Sequence, residues 1–338
     1  MVTDWGRKVA IKRIGTTTRS AKAVARFVRE VQTVGQLEHP NVVPIHDVGQ
    51  DEDGGYYFIM KYVEGKTLEA VIEDLRAGDP RAHAQFGIEQ RVRIFRELAE
   101  AIAFAHSKGV IHRDLKPANV MVGPYGEVSV LDWGIAVSSE ATWKPGDTLD
   151  REGVLIGTQR YMAPEQARRL EADRRTDVYA LCVILHELLT LRHYLDDVER
   201  VQDVLDGVLH RPVPLASTVH HPHQDAVPMD LSWIIDQGAR KDPTERYETV
   251  DALIERLADR SEGRVHVQCP VTFTKRASSE VERAMDRWVV PRMGGLLAAG
   301  PAGIAAAADL MVAALGAMAA SVVAVIVRAT LAIAGSVT

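Results

Sequence analysis

The chain has 338 residues, 46% of them hydrophobic and 25% charged, with a formal net charge of −6. That composition is ordinary for a folded soluble protein, and the negative balance excludes a nucleic-acid binder working through a basic surface. Two cysteines, Cys182 and Cys269, support neither a disulfide framework nor a Cys-based metal site, which fits a reducing compartment, and the polar first twelve residues do not read as a signal peptide.

In chain order, Val9-Ala10-Ile11-Lys12 reads as an alternating apolar strand ending in a lysine. The stretch 21–37 carries Val24, Phe27, Val28, Val31 and Val34 at helical spacing, with Glu30 on the same helix. Residues 56–63 (YYFIMKYV) read as a second strand running into a connecting segment. Helices are expected over 67–77 and 89–108. In the second, Val92, Phe95, Leu98, Ala99, Ile102 and Ala105 form one stripe destined for the core, and Gly109 ends it. Short strands are expected at 110–111, 120–122 and 128–131. The segment 132–165 is long and polar, with hydroxyls at Ser138, Ser139, Thr142 and Thr148. A strongly apolar helix follows over 177–190 and should bury Cys182. His220, His221 and His223 fall in a proline-rich loop without evident partners for a metal.

The chemistry concentrates between 112 and 134. Residues 112–119 read HRDLKPAN, and Asp132-Trp133-Gly134 begins thirteen positions past Asn119. A carboxylate, a lysine, an amide and a second carboxylate at these separations suit a metal-bound nucleotide held beside a hydroxyl. Hard oxygen ligands from Asn119 and Asp132 suit Mg²⁺, and Lys116 can act as a point charge on a phosphate.

With Ala163-Pro164-Glu165 downstream, with YMAPEQA and LHELLT around it, and with the run DPTERY at 242–247, these motifs resemble the bacterial, eukaryotic-like (Hanks-type) serine/threonine protein kinases. The resemblance covers about 1–260. It implies an α+β, two-lobed protein-kinase-like fold and transfer of the ATP γ-phosphate to protein Ser or Thr hydroxyls, with ATP and Mg²⁺ as cofactors. Asp114 would orient the acceptor and take its proton, and Lys116 would contact the transferring phosphate. Lys12 and Glu30 would hold the α- and β-phosphates. Met60 would be the gatekeeper, with Lys61, Tyr62 and Val63 presenting backbone to adenine. Asn119 and Asp132 would bind the metal. Arg246 would pair with Glu165 to tether the activation segment, and Trp133 would pack where the family has Phe. Arg113 before the catalytic aspartate suggests loop ordering by autophosphorylation at Thr142 or Thr148.

One departure is large. No glycine-rich G-x-G-x-x-G run precedes Lys12, so the small-lobe sheet is expected to be incomplete, with about 25 further residues lying upstream in a full kinase. A pseudokinase scaffold that binds without catalysis is the alternative reading. The expected organisation is a truncated small lobe at 1–63, a large lobe at 64–260, a juxtamembrane linker at 261–292 and a hydrophobic tail at 293–338. Within the tail, Leu310 to Val327 is an uncharged run of eighteen, the length of a membrane-spanning helix. Lys275, Arg276, Arg283, Arg287 and Arg292 precede it, so the positive-inside rule leaves the kinase region cytoplasmic. Expected partners are protein substrates, ATP, the membrane and a second copy of the chain for autophosphorylation, with no nucleic acid.

Overall fold

The computed structural model describes residues 8–13, 28, 31–32, 34–52, 55–133 and 159–264. The chain divides into two units, Met1–Leu257 and Ala258–Thr338.

The first sheet is antiparallel, in the order β1-β3-β2, from β1 (Val9–Arg13), β2 (Ile45–Gln50) and β3 (Tyr56–Lys61). The central strand β3 buries Phe58, which faces Lys12 on one side and Val48 on the other. The buried position of Phe58 favours this register, because a one-residue slip would turn that side chain to the opposite face. A helical stretch precedes β2, described at 28, 31–32 and 34. Val34 is buried there but Val28 is 42% exposed, against the expected apolar stripe. At 3.6 residues per turn Val28 points about 120° away from Val34, too far round to share its face. Val24, Phe27 and Glu30 lie outside the described residues.

The segment after this helix anchors the first sheet to the rest of the unit. Asn41 Nδ2 donates to the Val128 carbonyl (2.8 Å), and the Val130 amide donates to the Asn41 carbonyl (2.7 Å). Val128 and Val130 belong to a second sheet, β4-β5-β6, from β4 (Lys66–Thr67), β5 (Val120–Val122) and β6 (Val128–Val130). Residues 110–111 are not a strand. The Val110 amide closes the preceding helix on the Ala105 carbonyl, and the amides of His112 and Arg113 go to a side chain, Asp177. With those donors taken, no ladder forms there.

Eight further α-helices are described: α1 (Leu68–Arg76), α2 (Pro80–Gln85), α3 (Ile88–Ser107), α4 (Pro164–Ala167), α5 (Arg174–Thr190), α6 (Val201–His210), α7 (Met229–Gly238) and α8 (Val250–Ser261). Thr67 caps α1 by accepting from the Ala70 amide, and Asp79 caps α2, each removing one unsatisfied donor at a helix start. The stripe expected on α3 is buried throughout, from Val92 to Ala105, and Gly109 beyond its end adopts φ 74°, a conformation open to glycine without strain. Helix α5 is buried on all sides, as a helix apolar around its whole circumference must be. It packs against α3 and α7. Gly238 on α7 lies so close to Cys182 that any Cβ there would collide with its sulfur.

The expected hydrophobic tail at 293–338, its span at about 310–327 and most of the linker at 261–292 lie outside the described residues. Among the described residues no helix is long and apolar enough to cross a membrane.

Candidate active site

The loop at 112–119 is shaped by one buried carboxylate. Asp177, in the first turn of α5, is 1% exposed. Its Oδ2 accepts from the His112 amide at 2.8 Å and bonds His106 Nε2 at 2.7 Å, while its Oδ1 accepts from the Arg113 amide at 2.9 Å. Arg113 has φ 66°, a left-handed conformation that costs about 1–3 kcal/mol in a non-glycine residue and persists only where surrounding bonds enforce it. The loop enters this strained turn because Asp177 satisfies two consecutive amides.

Beyond the turn, three of the expected site residues meet. Lys116 Nζ donates to Asp114 Oδ2 at 3.1 Å, and Asn119 Nδ2 donates to the Asp114 carbonyl at 2.9 Å. A short 3₁₀ turn, Pro117–Asn119, brings Asn119 back under Asp114, and the Leu131 amide donates to the Asn119 carbonyl at 2.8 Å. That bond sets the start of the next segment, so that Asp132 (φ 44°) joins the same site. Asp132 Oδ1 accepts from Lys12 Nζ at 2.6 Å, across from β1. Both side chains are well exposed, 38% and 46%, so the pair adds at most about 1 kcal/mol to stability and yields readily to another ligand. Glu30, the partner expected for Lys12, lies outside the described residues.

Trp133 is buried, with its ring centroid 4.9 Å from that of His112. Burial holds His112 below the ordinary imidazole pKa, against the nearby Asp177 and Asp114 charges, so it is a neutral wedge under the loop. Met60 lines a small recess with Val34, Val43, Ile45, Asp132 and Trp133. The Lys61 amide donates to the Pro44 carbonyl at 3.2 Å. Tyr62 is 45% exposed, with Lys8 Nζ 5.7 Å from its ring centroid, and Val63 is half-buried. The expected site residues on β3 and after it therefore border the recess at Met60 and lead away from it toward solvent.

The donor set fits a Mg²⁺ ion. Asn119 Nδ2 is committed to the Asp114 carbonyl and Asp132 Oδ1 to Lys12. That leaves Asn119 Oδ1 and Asp132 Oδ2, hard oxygens with no hydrogen-bond partner among the described residues, for a cation that keeps several of its ligands from water and phosphate.

Away from the loop, Arg246 and Glu165 make the expected pair, bidentate at 2.8 Å for both bonds. The hydroxyls at Ser138, Ser139, Thr142 and Thr148 lie outside the described residues. His221 and His223 sit in a loop closed by a bridge between His221 and Gln224. Among the described residues no group of three His, Cys, Asp or Glu side chains is arranged for a metal.

Sequence reasoning missed three participants. Asp177 carried a signal, a carboxylate opening an apolar helix. Gln166 and the Tyr161–Glu187 hydrogen bond carried none. Tyr161 Oη donates to Glu187 at 2.5 Å, and Arg76 reaches the same carboxylate at 3.0 Å.

A family model described as the protein kinase domain matches residues 1–257. The chain is 35% identical over 263 residues to the serine/threonine-protein kinase PknD of Chlamydia caviae, covering 73% of this chain and 28% of that protein. It is 35% identical over 248 residues to the serine/threonine-protein kinase PrkC of Bacillus subtilis, covering 73% and 35%. It is 41% identical over 180 residues to the serine/threonine-protein kinase pkn3 of Myxococcus xanthus, covering 52% and 31%. The chain thus spans about a third of the length of these curated relatives. The motif at 112–119, the clamp beneath it and the match over 1–257 agree, and the chain belongs to the protein kinase domain family.

Proposed function

We propose that the protein is a Hanks-type serine/threonine kinase that transfers the γ-phosphate of ATP to protein Ser or Thr hydroxyls. The single observation that carries this reading is the meeting of Asp114, Lys116 and Asn119 at hydrogen-bond range in one loop, with Leu131 tied to Asn119 and its neighbour Asp132 bonded to Lys12. In transfer, a bond forms between the acceptor oxygen and the γ-phosphorus while the bond to the ADP oxygen breaks. Asp114 receives the hydroxyl proton and orients the oxygen. Lys116, 3.1 Å from Asp114, lies where it offsets charge on the transferring group. Lys12 reaches the phosphates from β1 by exchanging its bond to Asp132. Protein kinases use ATP and Mg²⁺; the ion offsets phosphate charge when bound, and Asn119 and Asp132 would hold it.

The uncharged run from Leu310 to Val327, with five basic residues between 275 and 292, supports a C-terminal membrane anchor with the kinase unit on the cytoplasmic side. Autophosphorylation at Thr142 or Thr148 would act between two copies. The test is phosphate transfer from labelled ATP with Mg²⁺ by the 338-residue chain, with Asp114→Asn as the control. Transfer lost in the control supports the reading. A folded chain that binds ATP without transferring phosphate favours the second reading, a pseudokinase scaffold.

A further inference from the structure

The geometry points to Gln166 as a positioning residue for phosphoryl transfer, acting on Asp114 through the backbone that carries it. This inference rests on the kinase reading. Gln166 lies at the third position of α4, directly after Ala163-Pro164-Glu165. Its Oε1 accepts from the Ala163 amide at 3.0 Å, the backward half of a capping box. Its Nε2 donates to the Arg113 carbonyl at 2.9 Å. The two partners are an amide and a carbonyl, so only one orientation of the side-chain amide serves both.

The Arg113 carbonyl belongs to the peptide plane that joins Arg113 to Asp114. Because that plane is rigid, fixing its oxygen fixes the direction from which Asp114 leaves the loop. Arg113 is also the left-handed residue of the turn, φ 66°. Asp177 holds its amide at 2.9 Å and Gln166 holds its carbonyl. The strained residue is gripped at both ends, from α5 and from α4. Release of the carbonyl grip frees the plane to rotate, and the carboxylate of Asp114 swings with it.

The other end of Gln166 matters equally. Glu165, its neighbour, is tied to buried Arg246. Gln166 therefore transmits the placement of the 163–165 segment to the catalytic loop, and a displaced segment would misalign Asp114 without touching substrate.

Two variants test this. Gln166→Leu keeps the shape and removes both bonds. Gln166→Glu keeps the acceptor for Ala163 but sets a carboxylate oxygen against the Arg113 carbonyl until it is protonated. Both should lower kcat by about tenfold or more, since small misplacement of a catalytic group is costly, while the KM for ATP stays within about twofold. The Gln166→Glu to wild-type activity ratio should rise as pH falls from 8 to 6, because the protonated carboxyl regains the donor. Division by the wild-type profile removes the contributions of the other charged or ionisable groups around this turn, Asp114, His112, Glu165 and Asp177, which are the same in both proteins. A kcat unchanged in Gln166→Leu, or a flat ratio, overturns the proposal. Hydrogen exchange supplies a readout that does not need transfer. Gln166→Leu should speed exchange at 113–115 and at Ala163 while α5 stays protected. Unchanged exchange there overturns the clamp even if the wild-type chain transfers no phosphate, an outcome that separately defeats the kinase reading.

Discussion

The guanidinium of Arg246 is fully buried and meets both oxygens of Glu165 at 2.8 Å, across eighty-one positions of sequence. Thr176 adds a hydroxyl to the same carboxylate at 2.9 Å, and Arg246 also reaches the Arg240, Lys241 and Arg175 carbonyls. Such a pair is stabilising only because its hydrogen bonds are complete; two charges withdrawn from water would otherwise cost more than their attraction returns.

Arg246→Ala should therefore destabilise the fold by about 3–5 kcal/mol, because it leaves Glu165 buried without its partner. Denaturant unfolding checks this. Burial alone would raise the Glu165 pKa, but the bonds from Arg246 and Thr176 outweigh it and hold the carboxyl below its usual value. A carboxyl depressed in the folded state adds stability above its unfolded pKa and loses it as pH falls through the folded one. Wild-type stability should drop in that acidic range, and Glu165→Gln should remove this part of the dependence.

Two buried imidazoles act at milder pH. Burial lowers His186 to about 4 and lowers His193 well below its ordinary value. His193 lies between Tyr161 and Tyr194, its Nδ1 accepting from the Leu195 amide at 3.1 Å. Their unfolded forms bind protons below about 6.5, while the folded forms do not. Stability is thus complete above that pH and declines as pH falls toward 4. His193→Phe should lower stability at pH 7 by about 1–3 kcal/mol, through the orphaned Leu195 amide, yet show a shallower loss between pH 7 and 5. An equal slope in thermal melts would contradict the assignment.

Lys12→Met should separate activity from stability. The Lys12–Asp132 pair is exposed, so unfolding free energy should change by less than about 1 kcal/mol. Phosphate transfer should fall by at least about tenfold, since a charge on the phosphates is lost. A large stability loss would show that the pair holds the sheet rather than the nucleotide.

Gly238→Ala probes a tight contact in the core. The new methyl would strike Cys182, and overpacking of this kind costs about 1–3 kcal/mol. Cys182→Ala should relieve most of it, so the double mutant should be more stable than the two single effects predict. Burial also pushes the Cys182 thiol up to about 12, so a native-state alkylating reagent should leave it unmodified.

The sequence by itself determined the parts that repeat or that are recognised as a run. The α3 stripe was legible because a helix returns to one face every three or four residues, and burial followed that face from Val92 to Ala105. The loop residues Asp114, Lys116 and Asn119 were legible because they lie within six positions and a tight turn leaves them little choice but to meet. Only the tertiary structure decided that Lys12 bonds Asp132, that Asp177 takes the amides of His112 and Arg113, and that Gln166 holds the Arg113 carbonyl. Val110 and Ile111 read as a strand, but the Val110 amide closes α3 on the Ala105 carbonyl and Asp177 takes the amides of His112 and Arg113. Val28 read as core because the apolar stripe was drawn too wide for one helix face. The physical reason is common to these cases. Periodicity reports which face a residue occupies, but a hydrogen bond between positions 53 to 120 apart depends on where the folded core carries each backbone, and no local pattern encodes that.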